Sequence, residues 1–233
     1  ATYWIVPDVK STSQSSVWAD VKEVINNRKL IGMCLCAGLM VGPLEGFADV
    51  WGTAFLKQAY GFEGTLAASL PSMIFIGMCF GSPVLNFIAE KVGSYLATIV
   101  AAGIIMVICF SSLLVAQLPS AILTVSFVMI GVCCAYQILA IYKASTYARE
   151  HVAGLSTALA NMIIMIFGYA FHSLIGGIVN AFGGPSNLQA LIMGVSVIPI
   201  ALAFGTLGFG LLFALERKEK LPIPQKNLPP ANR

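Results

Sequence analysis

Polar and apolar positions in this chain are sorted into long blocks rather than mixed at short period. No charged residue occurs between Lys91 and Lys143, and that run is broken near its middle by Gln117-Leu118-Pro119-Ser120. A bilayer-crossing helix needs roughly 20 apolar residues, so this run predicts two spans joined by a tight turn. The chain after His151 repeats the pattern, uncharged as far as Glu216, with a break at Phe182-Gly183-Gly184-Pro185-Ser186-Asn187. A fifth span fits between Glu63 and Glu90. A sixth fits from about Leu30 to Leu56, where Pro43, Glu45 and Asp49 interrupt the apolar run. The pattern therefore predicts an all-α polytopic membrane protein with six transmembrane helices at about 30–56, 66–89, 95–117, 121–143, 154–180 and 187–214.

Outside this bundle, residues 1–29 are polar until Val17, Trp18, Val21, Val24 and Ile25 recur at helical spacing, which predicts a short amphipathic helix in the membrane interface. Residues 215–233 form a tail in which Leu221-Pro222-Ile223-Pro224 and Leu228-Pro229-Pro230 disfavour regular structure.

Composition agrees with lipid as the solvent. The chain of 233 residues is 58% hydrophobic and 10% charged, with a mean hydropathy of +0.87. A soluble domain carries about 25% charged residues, and a disordered chain is poor in apolar ones, so both classes are excluded. All six cysteines lie in apolar stretches without CxxC or Cys/His spacing, which reads as packing; no metal or other cofactor is expected.

The net charge of +3 gives no reason to expect a nucleic-acid partner, but its distribution is informative. With six spans, Lys10, Lys22, Arg28, Lys29, Lys91, Lys143, Arg149, Arg217, Lys218, Lys220, Lys226 and Arg233 fall on one side, and Lys57 on the other. By the positive-inside rule both termini are expected in the cytoplasm and the protein in the cytoplasmic (inner) membrane.

Carboxylates within a span are costly and normally face a bundle interior or a watery cavity. Glu45 and Asp49, four residues apart, share one helix face. In low dielectric their titrations would be coupled, and a protonatable pair opening to alternate sides is what a proton-coupled carrier requires. The alternative is a structural pair that reaches the outer interface or binds Lys57.

The same span holds Gly38, Gly42 and Gly46, a spacing that lets two helix backbones approach closely. Gly42-Pro43 predicts a kink beside the carboxylates. Gly77 and Gly81 read as a second packing pair. In the fourth span Tyr136 and Gln137 are candidate substrate contacts, whereas Tyr142 reads as an interfacial anchor and Lys143 as a snorkelling cation. In the fifth span, Asn161 either bridges helices or meets substrate, and His172 either binds substrate or proton or is a satisfied bundle histidine.

An enzyme is disfavoured. Ser156 and His172 lie on one helix, sixteen residues and roughly 24 Å apart, too far for a catalytic dyad.

The order of parts resembles the C-terminal half of a major facilitator superfamily (MFS) transporter. Val17 to Lys29 is similar to the end of that family's central loop. Gly81-Ser82-Pro83-Val84-Leu85-Asn86-Phe87-Ile88-Ala89-Glu90-Lys91-Val92-Gly93 resembles its conserved loop element, which implies a conformational gating role for Glu90, Lys91 and Gly93. Asn86, Ser94 and Tyr95 depart from that element. Gly154 to Asn161, followed by Gly168, Ala170, Gly176 and Gly177, resembles the family's eleventh helix, and Pro43 to Gly52 resembles the seventh helix of a bacterial subgroup.

The resemblance implies a 3+3 inverted repeat within this half, and alternating access between two six-helix halves. It also implies a missing N-terminal half, in the same chain of about 400 residues or in a separate copy. The function it implies is secondary transport of a small polar organic solute, proton-coupled through Glu45, with Asp49 assisting or binding a cationic group. The alternative is a non-transporting six-helix scaffold or sensor.

Overall fold

The computed structural model describes residues 17–219. The polar stretch before Val17 and the tail after Glu219, both assigned to loops from sequence, lie outside the described residues. The described residues form helices α1 (Val17–Asn26), α2 (Arg28–Gly46), α3 (Gly52–Tyr60), α4 (Gly64–Val92), α5 (Tyr95–Val115), α6 (Ser120–Cys134), α7 (Tyr136–Ser145), α8 (Ala153–Ala181) and α9 (Leu188–Glu219). A π-helical turn, Phe47–Trp51, joins α2 to α3, and one 3-10 turn, Glu150–Val152, precedes α8.

Six helical segments are long and apolar enough to cross a membrane: Arg28–Tyr60, Gly64–Val92, Tyr95–Val115, Ser120–Ser145, Glu150–Ala181 and Leu188–Glu219. Local chemistry sets their ends. Asn27 caps α2, its side chain accepting from the Leu30 amide at 3.2 Å. Ser94 caps α5 by accepting from the Ala97 amide at 3.2 Å. Gly61 and Gly93 end α3 and α4 in the left-handed region (φ +67° and +72°), which costs glycine least.

The most extensive interfaces join α2 to α8 and α4 to α6, followed by α5 to α9. Exchanging the first three spans with the last three converts the first of these pairs into the second and leaves the third unchanged, the neighbour relations of a 3+3 arrangement. The first and fourth spans are also both interrupted, at Phe47–Trp51 and at Ala135.

Behind the first interruption, Phe47 is fully buried against Phe110 (ring centroids 4.9 Å), Phe127 (5.9 Å) and Phe55 (6.2 Å). This aromatic block holds the irregular turn in the core. The third and sixth spans pack together and turn apolar rows outward, including Ile104 and Ile108 on α5 and Phe204, Leu207 and Leu211 on α9. The second and fifth spans are the least enclosed.

Both ends of the described bundle meet. Lys29 pairs with Glu219 at 2.7 Å, placing the start of the first span beside the end of the sixth. At the opposite end the Tyr60 hydroxyl donates to the Leu113 carbonyl at 2.8 Å, and Gln117 Nε2 to the Ala59 carbonyl at 3.0 Å.

Candidate functional site

Helix α2 lies tightly along α8, and glycine makes this possible. A Cβ on Gly42 would stand 2.7 Å from the backbone carbonyl carbon of Phe167, and one on Gly38 would stand 2.6 Å from the Phe167 ring. Gly46 faces the His172 backbone. The relation is reciprocal, because α8 receives α2 side chains at its own glycines. A Cβ on Gly168 would come within 2.7 Å of Glu45 Oε2, and one on Gly176 within 3.0 Å of the Trp51 ring. The Glu45 carboxylate therefore occupies room that a side chain at position 168 would take.

Beside the π turn a cavity of about 380 Å³ opens along this seam, lined by Glu45, Gly46, Asp49, Val50, Met165, Gly168, Tyr169 and His172. A π turn adds a residue to the helical circuit; here the Gly52 amide bonds the Phe47 carbonyl, five residues back. Gly42 and Pro43 themselves lie inside regular α2, so the departure from α geometry comes one turn after the kink position expected from sequence.

Glu45 is half-buried and Asp49 exposed. Neither carboxylate takes part in an ion pair or side-chain hydrogen bond among the described residues. The Lys57 ammonium points elsewhere, close to Gly64. The His172 ring lies 6.1 Å from that of Trp51, and His172 Nδ1 and Trp51 Nε1 are buried without a hydrogen-bond partner. The site thus combines two acids and a histidine with unused polar capacity, walled by Tyr169 and Met165.

The remaining residues singled out from sequence lie elsewhere. Tyr136 is fully buried, its hydroxyl donating to the Ala37 carbonyl at 2.8 Å and its ring edge-on to Phe209, so it ties the fourth span to the first inside the bundle. Gln137 is half-buried, and neither residue lines the cavity. Asn161 is exposed on the α8 face that carries His172, three turns away, and bridges no helices among the described residues. Glu90, Lys91 and Gly93 form the end of α4. Asn86 Nδ2 donates to Glu90 Oε1 at 2.9 Å, and Gly93 makes the left-handed cap.

Lys143, read from sequence as snorkelling to water, is instead paired with Glu216 at 2.8 Å and lies over the Tyr147 ring. The correction has a simple cause: a partner from the sixth span satisfies the cation, so it has no need to reach outward. Tyr147 also donates to Glu216, at 2.6 Å, and its phenol pKa is pushed up, first by burial and then by that bond to a carboxylate. Asn27 Nδ2 donates to the Tyr147 carbonyl at 2.7 Å, while Glu23 pairs with Arg149 at 3.2 Å and lies 3.9 Å from His151. These contacts fasten α1 and three spans at the terminal end, beside a second hollow of about 390 Å³. Ser156 donates to the Val152 carbonyl at 2.9 Å as a helix side chain does.

Sequence reasoning did not assign Trp51, Gly168 or Tyr169 to a site. Gly168 carried a signal, since it precedes His172 by four residues on one helix face. Trp51 and Tyr169 carried none beyond being aromatic in an apolar run.

The sequence model of the Major Facilitator Superfamily matches residues 2–171. The chain belongs to that family of membrane transporters. Among solved structures it is similar to a bacterial homolog of the human lysosomal transporter Spinster, solved inward-facing and unoccupied, with 14% identity and a TM-score of 0.59. The match covers 90% of this chain and 53% of that one, so the chain spans about half the length of that transporter. At this identity the likeness concerns the fold. No curated protein sequence matches significantly.

Proposed function

We propose that this chain supplies one six-helix half of a secondary transporter that moves a small polar organic solute by alternating access, with Glu45 carrying the coupling proton. The observation that carries the reading is the unpaired Glu45–Asp49 couple on the wall of a cavity whose third polar member, His172, has an unsatisfied ring nitrogen. Acids placed only for packing would be expected to have found cationic or hydrogen-bonding partners, as Glu216 does with Lys143 and Tyr147.

Glu45 is the more enclosed of the pair and rests against Gly168, so it is suited to hold a proton away from water while the cavity changes sides. Asp49 stands at the exposed rim, where a solute arrives. A second six-helix unit, in the same chain or a separate copy, completes the cavity and rocks against this one. The open second and fifth spans are suited to receive it.

In this reading the bundle is bacterial, lies in the inner membrane and keeps both termini in the cytoplasm, which the cations gathered at the terminal end support. Glu90, Lys91 and Gly93 are proposed as a gate at the turn between α4 and α5, and Tyr136, Gln137 and Asn161 as contacts made in other conformations.

Counterflow tests the carrier reading. Proteoliposomes of the full-length protein preloaded with a metabolite panel exchange at least one labelled solute if the protein is a carrier. A scaffold or sensor exchanges none.

A further inference from the structure

Charge within the cavity goes further than "small polar solute". Among the described residues, no Lys or Arg pairs with its two carboxylates, and His172 is the basic side chain that lines the cavity with them. The described ion pairs, Lys29–Glu219, Lys143–Glu216, Arg149–Glu23 and His151 with Asp20 and Glu23, all lie at the terminal end. Lys57, at the opposite end, is turned toward Gly64.

One proton can neutralise one carboxylate, which leaves the second charge to be matched by what enters. The rest of the wall suits a positive centre as well. Tyr169 is 79% exposed and presents an aromatic ring at the rim, a surface that attracts ammonium groups. His172 Nδ1, buried and without a partner, can accept a hydrogen bond in the tautomer protonated at Nε2. Met165 supplies a polarisable apolar wall, and the volume of about 380 Å³ admits a small metabolite.

We propose that the solute carries a protonated amine, and that Asp49 at the rim binds this ammonium group while Glu45 keeps the coupling proton. The proposal rests on the carrier reading above and deepens it. With separate carboxylates for proton and amine, the two cations bind together rather than in competition, so uptake of the amine down the proton gradient needs no further charged group in this half.

The test uses pairs of compounds that differ only at nitrogen: the common amino acids, agmatine and putrescine, each beside its N-acetylated counterpart. Binding to the full-length protein is read as a ligand-induced rise in melting temperature, because a ligand selective for the folded state stabilises it. At least one amine raises the melting temperature, and its acetylated partner binds about tenfold or more weakly, the scale of one ion-pair contact in a partly enclosed site.

Asp49→Asn abolishes this discrimination and Asp49→Glu restores it, which separates lost recognition from lost folding. Equal shifts from amine and acetylated partner, no shift from any amine, or discrimination that survives in Asp49→Asn each overturns the proposal. So does a shift produced by sodium chloride alone that disappears in Asp49→Asn, which would assign the site to an inorganic cation. If counterflow of some uncharged solute persists while amine selection fails, the carrier reading stands and this inference falls. If amines bind but no solute exchanges, Asp49 keeps its amine site, while the carrier reading and the coupling role of Glu45 fall.

Discussion

Gly42→Ala on the α2–α8 seam isolates the contact that positions the site. In an exposed helix the replacement would stabilise by about 1 kcal/mol, since glycine is the poorer helix former. At position 42 the new Cβ meets backbone: 2.7 Å to the carbonyl carbon of Phe167 and 2.8 Å to its oxygen. No rotamer relieves a collision with main chain, so the two helices must separate. Overpacking of this kind costs about 1–3 kcal/mol, which leaves a net loss of up to about 2 kcal/mol after the propensity gain.

Gly32, on the same helix, is the control, because a Cβ there meets nothing within 4 Å. Gly32→Ala is expected to gain up to about 1 kcal/mol. Two chemically identical substitutions ten residues apart should thus differ by the overpacking cost itself, about 1–3 kcal/mol, a factor of roughly 5 to 150 in the folded-to-unfolded ratio. Equilibrium unfolding of the full-length protein in mixed micelles measures this difference directly. Equal stability of the two variants would refute the close approach of α2 to α8.

Further outcomes follow from the same structure. Gly168→Ala drives a methyl to 2.7 Å from Glu45 Oε2, a flexible side-chain end, so unfolding free energy should change by less than about 1 kcal/mol while gradient-driven uptake falls about tenfold or more. Tyr147→Phe removes the 2.6 Å bond to Glu216 and should cost about 1 kcal/mol at neutral pH. Because the Tyr147 pKa is raised on folding, its contribution is complete below the unfolded value near 10, declines as pH climbs above it, and is gone once pH passes the folded value. The parent protein should therefore lose more stability above pH 10 than Tyr147→Phe does, as pH-dependent unfolding would show. Arg149→Ala should change global stability by less than about 1 kcal/mol, since the Arg149 side chain is 76% exposed, yet speed amide hydrogen exchange in α1 by releasing Glu23.

The six helices were legible because charge-free blocks and their Gly/Pro/Asn breaks depend only on the chain's own composition. The stripe Gly38-Gly42-Gly46 announced a close helix contact, but not that α8 would be the partner. Small residues say how near a neighbour comes and nothing about which one it is. Glu45 and Asp49 were conspicuous through their cost in lipid, and His172 through its rarity there. That these three line one cavity depends on the α2–α8 pairing, which links positions more than a hundred residues apart. The π turn left no trace in the sequence; Pro43 marked the neighbourhood, while the irregular bonding settled over Phe47–Trp51. Lys143 illustrates a converse limit. A lone cation at a span end reads as snorkelling until the tertiary fold brings a carboxylate to it.

The most direct test of the central claim is internal pH, followed in proteoliposomes of the full-length protein with a trapped pH-sensitive dye, as an exchangeable solute is added outside without a preset gradient. The account predicts that solute entry acidifies the lumen in the parent protein. In Glu45→Gln the acidification is absent, while labelled solute still exchanges across the membrane. Equal acidification in the Glu45→Gln variant would contradict the assignment of the coupling proton to Glu45.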